Sequence, residues 1–181
     1  MQTSLRGKLE ILAHEGVVLS RYKDSKGVWT IGPGITRAAR ASVNPGTFKG
    51  RLTVEQCVDL LGEVLPRYEA TVNRLLGGRR AKQHEYDALV SLAYNAGDIA
   101  KPLTTRKARS GDIPGAIDLW RADRILWGRR DKEVKLARDG IYSATSIMTA
   151  LADHNGIVLR STRKFVPVAR MAAKLEARGM A

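Results

Sequence analysis

The stretch Glu15-Gly16-Val17-Val18-Leu19-Ser20-Arg21-Tyr22-Lys23-Asp24-Ser25-Lys26-Gly27-Val28-Trp29-Thr30-Ile31-Gly32-Pro33-Gly34 decides the reading of this chain. Just upstream, Leu5, Leu9, Leu12 and Ala13 share one stripe of a 3.6-residue period, which predicts a short helix over 5–14 stopped by Gly16. Residues 17–22 and 28–31 read as two short strands. Asp24-Ser25-Lys26-Gly27 between them is turn chemistry, so the pair forms a hairpin. Gly32-Pro33-Gly34 breaks the second strand. Residues 36–52 are rich in Gly, Pro, Asn and Arg and read as irregular, with room for one more short strand.

Downstream the period becomes helical. Thr53 with Gln56 is a capping-box signature, and the helix behind it runs to about 62–65. Pro66 suits the first turn of a following helix that ends at Gly77-Gly78. Residues 82–96 carry the strongest helical pattern, with Tyr86, Leu89, Val90, Ala93 and Tyr94 on its apolar face and Gly97 as its stop. Shorter helices are predicted near 102–109, 114–126 and 129–138, with Asp112 capping the second and Pro114 in its first turn. Strands come first and helices later, which predicts an α+β, mainly α architecture: a small N-terminal β-hairpin lobe and a larger helical lobe.

Residues 141–153 read as one more helix. From 155 to 181 the chain is basic, with Arg160, Arg163, Lys164, Arg170, Lys174 and Arg178 against the single acid Glu176. Phe165, Val168, Ala172 and Leu175 can line one face of an amphipathic helix there. Two readings stand for it: a solvated terminal helix packed on the body, or an anchor for anionic envelope components. The expected organisation is a catalytic domain over 1–140 and a basic helical extension over 141–181 packed on that domain.

The chain has 181 residues, enough for one ordinary domain with a hydrophobic core. With 44% hydrophobic residues it is of the globular class, and 6% aromatics argues against an aromatic-rich β-sandwich as the main fold. The formal net charge of +13 points to a polyanionic partner such as nucleic acid, an anionic membrane face or a bacterial envelope, or simply to a basic solvated surface. Cys57 is the sole cysteine, so no intramolecular disulfide exists; its place among Val54, Val58 and Leu61 reads as a buried thiol rather than a nucleophile. No apolar run reaches the ~20 residues that span a bilayer, and residues 1–8 lack the apolar stretch of an export signal. Delivery beyond the cytoplasm would then need another agent. His14, His84 and His154 have no metal-ligand spacing, so neither metal nor cofactor is expected. Trp29, Trp120 and Trp127 read as packing residues, with a sugar-stacking role for the latter two left open.

The hairpin folds Asp24 and Thr30 back toward each other, since strands rise only ~3.3 Å per residue. Glu15, at the helix end, can face the same cleft from the junction of the two lobes. Two carboxylic groups and a hydroxyl across a cleft suit glycosidic hydrolysis, in which one group protonates the leaving oxygen and another positions water or stabilises the cationic sugar. A Glu at a helix end and an Asp in a turn also serve purely structural purposes, and the residues alone leave both readings open.

This stretch resembles the phage T4-type lysozyme family, the phage endolysin muramidases. The family pattern is Glu, eight residues, Asp, five residues, Thr, then Gly-x-Gly, and Glu15, Asp24, Thr30, Gly32 and Gly34 have that spacing. The Tyr-Lys-Asp and Trp-Thr-Ile-Gly runs match as well. Residues 85–97 resemble the family's central helix, and Asp112 to Trp120 and Arg129 to Glu133 resemble later helices more loosely. The resemblance spans roughly residues 5–140 and leaves 141–181 unexplained.

The resemblance implies a lysozyme-like fold with the active-site cleft between the lobes. It implies that Glu15 protonates the oxygen between N-acetylmuramic acid and N-acetylglucosamine in peptidoglycan. Asp24 would orient water or stabilise the oxocarbenium-like transition state, and Thr30 would hold the attacking water, with inversion at the anomeric carbon. Gly34 would let the glycan approach the backbone. Tyr94 and Asn95 would contact sugar from the end of the central helix, or serve as a core Tyr and a helix-terminal Asn. The family usually has His after the second glycine, where this chain has Ile35; that change bears on stability or pH response more than on chemistry. Pro33 between the glycines stiffens the loop.

The expected role is host lysis by a monomeric enzyme that accumulates in the host cytoplasm, is released by a holin-like lesion and acts on periplasmic peptidoglycan glycan strands. A lytic transglycosylase is the competing enzyme class, and Asp24 and Thr30 favour hydrolysis over it. A non-catalytic basic protein binding the envelope or nucleic acid is the competing non-enzyme class. It is weakened by the complete Glu–Asp–Thr set and by the absence of a recognisable DNA-binding motif.

Overall fold

The computed structural model describes residues 1–121 and 126–180. Along the chain run α1 (Leu5–Glu15), β1 (Val17–Lys23), β2 (Trp29–Gly32), β3 (Ile35–Thr36), α2 (Val54–Leu76), α3 (Gln83–Ala96), α4 (Pro102–Ser110), α5 (Ile113–Asp118), α6 (Trp127–Asp139), β4 (Ser146–Ala152), β5 (Val158–Pro167) and α7 (Val168–Glu176). The architecture is α+β with helices predominant, as the segregated pattern predicts. The chain forms two compact units: Met1–Glu10 with Leu65–Ser143, and Ile11–Val64 with the chain from Ala144 on.

The first unit is helical. Its core includes Val72, Leu75, Tyr86, Leu89, Val90, Leu92, Ile99, Ile113, Ile117 and Leu136, all essentially buried. Asp87 on α3 organises the N-terminus: its carboxylate accepts from Ser4 N at 3.0 Å, from Ser4 Oγ at 2.5 Å and from the Tyr142 hydroxyl at 2.6 Å. Gly7 is required beside it, because a Cβ there would lie 2.5 Å from the Asp87 carboxyl carbon. Asp112 caps α5 by accepting from Gly115 N at 2.9 Å, as expected. That helix stops at Asp118, earlier than predicted, where Trp120 N and Arg121 N turn to the carbonyls three residues back. Residues 122–125 of the expected helix lie outside the described residues.

The expectation of two helices meeting at Pro66 is corrected: α2 is one helix of 23 residues with Pro66 inside it. Proline removes the bond to the Gly62 carbonyl and costs about 3 kcal/mol. The stripe Val54, Val58, Leu61, Leu65, Val72 and Leu75 runs through the proline and is buried on both sides of it in sequence. Burying each such side chain contributes about 1.5–3 kcal/mol, so the stripe outweighs the lost bond. At the start of α2, Thr53 and Gln56 exchange the two expected capping-box bonds at 2.8 and 3.2 Å.

The second unit holds a five-stranded sheet in the order β3-β2-β1-β4-β5. The pair β1–β2 is the expected hairpin, with Tyr22 opposite Thr30 and Lys23 opposite Trp29. The helices expected over 141–153 and 155–181 are corrected. Residues 146–152 form β4 and 158–167 form β5, and only 168–176 are helical. β4 pairs parallel to β1 through Val17–Thr149 and Val18–Ala150, and antiparallel to β5. Ala and Met lend 141–153 its helical look, yet Ile147 and Thr149 are buried on alternate positions of β4. The deciding term is tertiary: an edge of β1 carries N–H and C=O groups that must be paired, and β4 pairs them.

Both hairpins use the same turn. In Asp24–Gly27, Asp24 N donates to Val28 O and Asp24 Oδ1 accepts from Lys26 N and Val28 N. In Asp153–Gly156, Asp153 N donates to Ile157 O and Asp153 Oδ1 accepts from Asn155 N and Ile157 N.

The terminal helix α7 buries Met171 and Leu175 and is tied to α2 through an ion pair of Lys174 with Glu55, and the turn after it through one of Arg178 with Asp59 at 3.5 Å. The hydrogen bond from Lys174 is the largest of the causes that lower the Glu55 carboxyl to about 2. A carboxyl depressed in the folded state stabilises above its ordinary value and loses that contribution as pH falls through its folded value. Stability should therefore decline between about pH 4.5 and 2. Lys174→Met should melt lower than the parent near neutrality and converge with it near pH 2, in thermal melts across that range.

Candidate active site

Gly16 ends α1 and leaves Glu15 as the last helical residue. It adopts φ +68°, and a Cβ there would lie 2.8 Å from the Met148 methyl carbon on β4. Both the backbone and the packing of β4 therefore call for glycine at this point. The chain then enters β1, so the catalytic candidate sits at the junction of a helix and a sheet strand.

Asp24 opens the β1–β2 turn. Its Oδ1 accepts from two backbone amides of that turn, both at 2.9 Å, which fixes the carboxylate and leaves Oδ2 for a ligand. Thr30 on β2 is buried, and its hydroxyl donates to Val28 O at 2.9 Å. With its proton so committed, Thr30 Oγ1 faces any further partner as an acceptor.

Tyr22 links these groups. It lies opposite Thr30 across the strands. Its phenol is pushed up to about 12, first by burial and then by the negative charges of Glu15 and Asp24. One neutral phenol thus sits in the field of both carboxylates. Sequence reasoning quoted Tyr22 only as part of a matching run. The available signal was its position two residues before Asp24, on the strand face that Thr30 shares.

Gly32 has φ +60° and comes close to the Cys57 sulfur, at 3.5 Å from a built Cβ. Cys57 is the buried thiol expected, raised to about 12 by burial and by Glu55. Gly34 has φ +93°, is exposed, and has open space where a Cβ would be. Ile35, standing where the family's His is usual, is buried and pairs with Ile31. An apolar side chain suits that position.

Glu15, Asp24, Thr30 and Gly34 all belong to the sheet-containing unit, whereas Tyr94 and Asn95 belong to the helical unit. Tyr94 packs its ring on Tyr68, with centroids 4.9 Å apart. Asn95 Oδ1 accepts from the buried Arg130 guanidinium. Trp120 donates from its indole to Thr104 Oγ1 at 3.1 Å. Trp127, expected to pack, is 46% exposed, with its indole N–H on Arg121 O. Among the described residues no group of three or more His, Cys, Asp or Glu could hold a metal ion. No helix among them is long and apolar enough to cross a membrane.

A helix ending on Glu15, a hairpin turn holding Asp24 and Thr30 on the returning strand thus lie within one short segment of the sheet-containing unit. The chain belongs to the phage lysozyme family, whose profile matches residues 12–133. It is 31% identical over 135 residues to the endolysin of Salmonella phage P22, covering 74% of this chain and 88% of that one. Among solved structures it is similar to the endolysin from Escherichia coli O157:H7 phage FAHEc1, at 28% identity and TM-score 0.69, over 80% of this chain and 98% of that one. It is also similar to a mutant of P22 lysozyme, at 32% identity and TM-score 0.66, over 75% and 97% of the two chains. The family is one of enzymes that degrade peptidoglycan.

Proposed function

We propose that this protein is an endolysin muramidase that hydrolyses the β-1,4 bond between N-acetylmuramic acid and N-acetylglucosamine. The observation that carries the reading is geometric: Glu15 ends α1, Asp24 is fixed in the β1–β2 turn by two backbone amides, and Thr30 returns on β2 with its hydroxyl proton committed to Val28 O. Glu15 acts as general acid on the glycosidic oxygen. A water donates one proton to Asp24 Oδ2 and the other to Thr30 Oγ1, and its remaining lone pair attacks the anomeric carbon from the face opposite the leaving group. Asp24 removes the water's proton as the bond forms, and the product carries an inverted, reducing muramic end. Gly34 gives the glycan backbone access, and Tyr94 and Asn95 contact sugar.

The biological reading follows from that activity. The protein works as a monomer, accumulates in the host cytoplasm, leaves through a holin-like lesion and is drawn to the anionic envelope by its positive charge. Digestion of purified peptidoglycan followed by chromatography of the fragments tests the chemistry. Reducing muramic ends, first appearing as the inverted anomer, are expected. Anhydro-muramic ends would instead assign a lytic transglycosylase and remove the water-positioning roles of Asp24 and Thr30.

A further inference from the structure

The sheet has a second face. Residues directly opposite in an antiparallel pair share a face and successive residues alternate, so Lys23 and Trp29 face away from Tyr22 and Thr30. The Arg21 guanidinium lies over the Trp29 ring at 4.3 Å and the Lys23 ammonium at 5.1 Å, which places Arg21 on that same reverse face. There a cavity of about 310 Å³ is lined by Arg21, Phe48, Lys49, Arg51, Asp153 and His154. Three segments distant in sequence build it: strand β1, the irregular loop before α2, and the β4–β5 turn.

The cavity is positive and not neutralised. Among the described residues Arg21, Lys49, Arg51 and His154 make no ion pair. The only acid in the lining, Asp153, spends Oδ1 on Asn155 N and Ile157 N, both at 2.9 Å. Arg21 is held in place by Trp29 and by donating from one guanidinium nitrogen to Gly46 O at 2.5 Å. The β4–β5 turn is held by Lys23 N donating to Gly156 O at 2.9 Å, with the Trp29 ring closed over Gly156.

We propose that this cavity binds a phosphate group. A phosphate presents three oxygens and up to two charges, which suits three permanent cations from two segments, Arg21 on β1 and Lys49 and Arg51 in the loop, with His154 of the β4–β5 turn beside them; a carboxylate offers one charge and two oxygens. The occupant sits on the face opposite Tyr22 and Thr30, so an envelope phosphate held there leaves the Thr30 face open. This site is independent of the muramidase chemistry, and its test does not use activity.

Backbone amide NMR during titration with inorganic phosphate, at constant ionic strength, reads the site directly. Saturable shifts confined to Arg21, residues 48–51 and residues 152–154 are expected. The double variant Lys49→Ala/Arg51→Ala, altered only at exposed loop positions, should keep the remaining spectrum and weaken phosphate about tenfold or more, the loss expected for a charged hydrogen-bonding partner. Shifts that grow without saturation over the whole basic surface would overturn the proposal, as would equal shifts with acetate or an unweakened double variant. Vesicles separate the sources. Sedimentation with phosphatidylglycerol but not phosphatidylcholine vesicles, lost in the double variant, assigns a lipid headgroup. Phosphate saturation without vesicle binding assigns a soluble phosphate ester.

Discussion

Glu15→Gln is expected to lower the rate of clearing of outer-membrane-permeabilised Gram-negative cells by about 10²–10⁴-fold, the usual contribution of a positioned general acid. The amide has nearly the same shape as the carboxyl it replaces but cannot deliver a proton to the leaving oxygen. The loss should be one of chemistry and not of folding. Glu15 closes α1, and the amide keeps the volume and hydrogen-bonding reach of the carboxyl, so the variant should stay folded. An inactive variant that unfolds cooperatively and keeps the parent's circular dichroism spectrum supports the assignment. Equal clearing by both proteins would remove Glu15 from the chemistry and leave the basic surface as the agent of lysis.

The largest expected stability effect lies in the helical unit. Glu133 on α6 is fully buried and accepts from Ser91 Oγ at 2.7 Å, from Arg129 Nε at 3.0 Å and from Arg130. The Arg130 side chain is 2% exposed, and its other nitrogens reach Trp120 O and Asn95 Oδ1. Glu133→Gln keeps the volume and removes the charge, which leaves a buried guanidinium uncompensated. Breaking such a pair costs about 3–5 kcal/mol. For a chain of this size each kcal/mol moves Tm by about 2–4 °C, so a fall of about 6–20 °C is expected in thermal unfolding. The triple change Arg129→Met/Arg130→Met/Glu133→Leu should recover most of it, because removing the carboxylate together with both guanidinium groups also removes their desolvation cost. A fall of only a degree or two in the single variant would mean that Arg130 finds water in place of the carboxylate. Because Arg130 also holds Asn95, the variant should disturb the end of α3 as well.

Much of this molecule is legible from local chemistry. The α1–hairpin stretch, the capping box at Thr53 and Gln56, the cap at Asp112 and the glycine stops after α1 and α3 are decided by a few neighbouring residues, and the structure has them. The Glu15–Asp24–Thr30 spacing was legible for the same reason: all three lie within one helix–turn–strand segment. The second hairpin was also written locally, since Asp153-His154-Asn155-Gly156 repeats the turn chemistry of Asp24-Ser25-Lys26-Gly27. An Ala- and Met-containing stretch before it looked helical and hid that signal.

What tertiary structure decided is of another kind. Whether 146–152 is strand or helix depends on the unpaired edge of β1, more than a hundred residues away in sequence. Whether Pro66 ends a helix depends on how much of the α2 stripe finds a core to bury in. The pairing of Tyr22 with Thr30 depends on the register of β1 against β2, and the basic cavity exists only where β1, the loop before α2 and the β4–β5 turn meet. By itself the sequence determined what each short segment prefers and which side chains carry chemistry, because caps, turns and periodicity act within a few residues. Partnership between segments was left to the fold, because pairing free backbone groups and burying apolar stripes are properties of surfaces that exist only once the chain has come together.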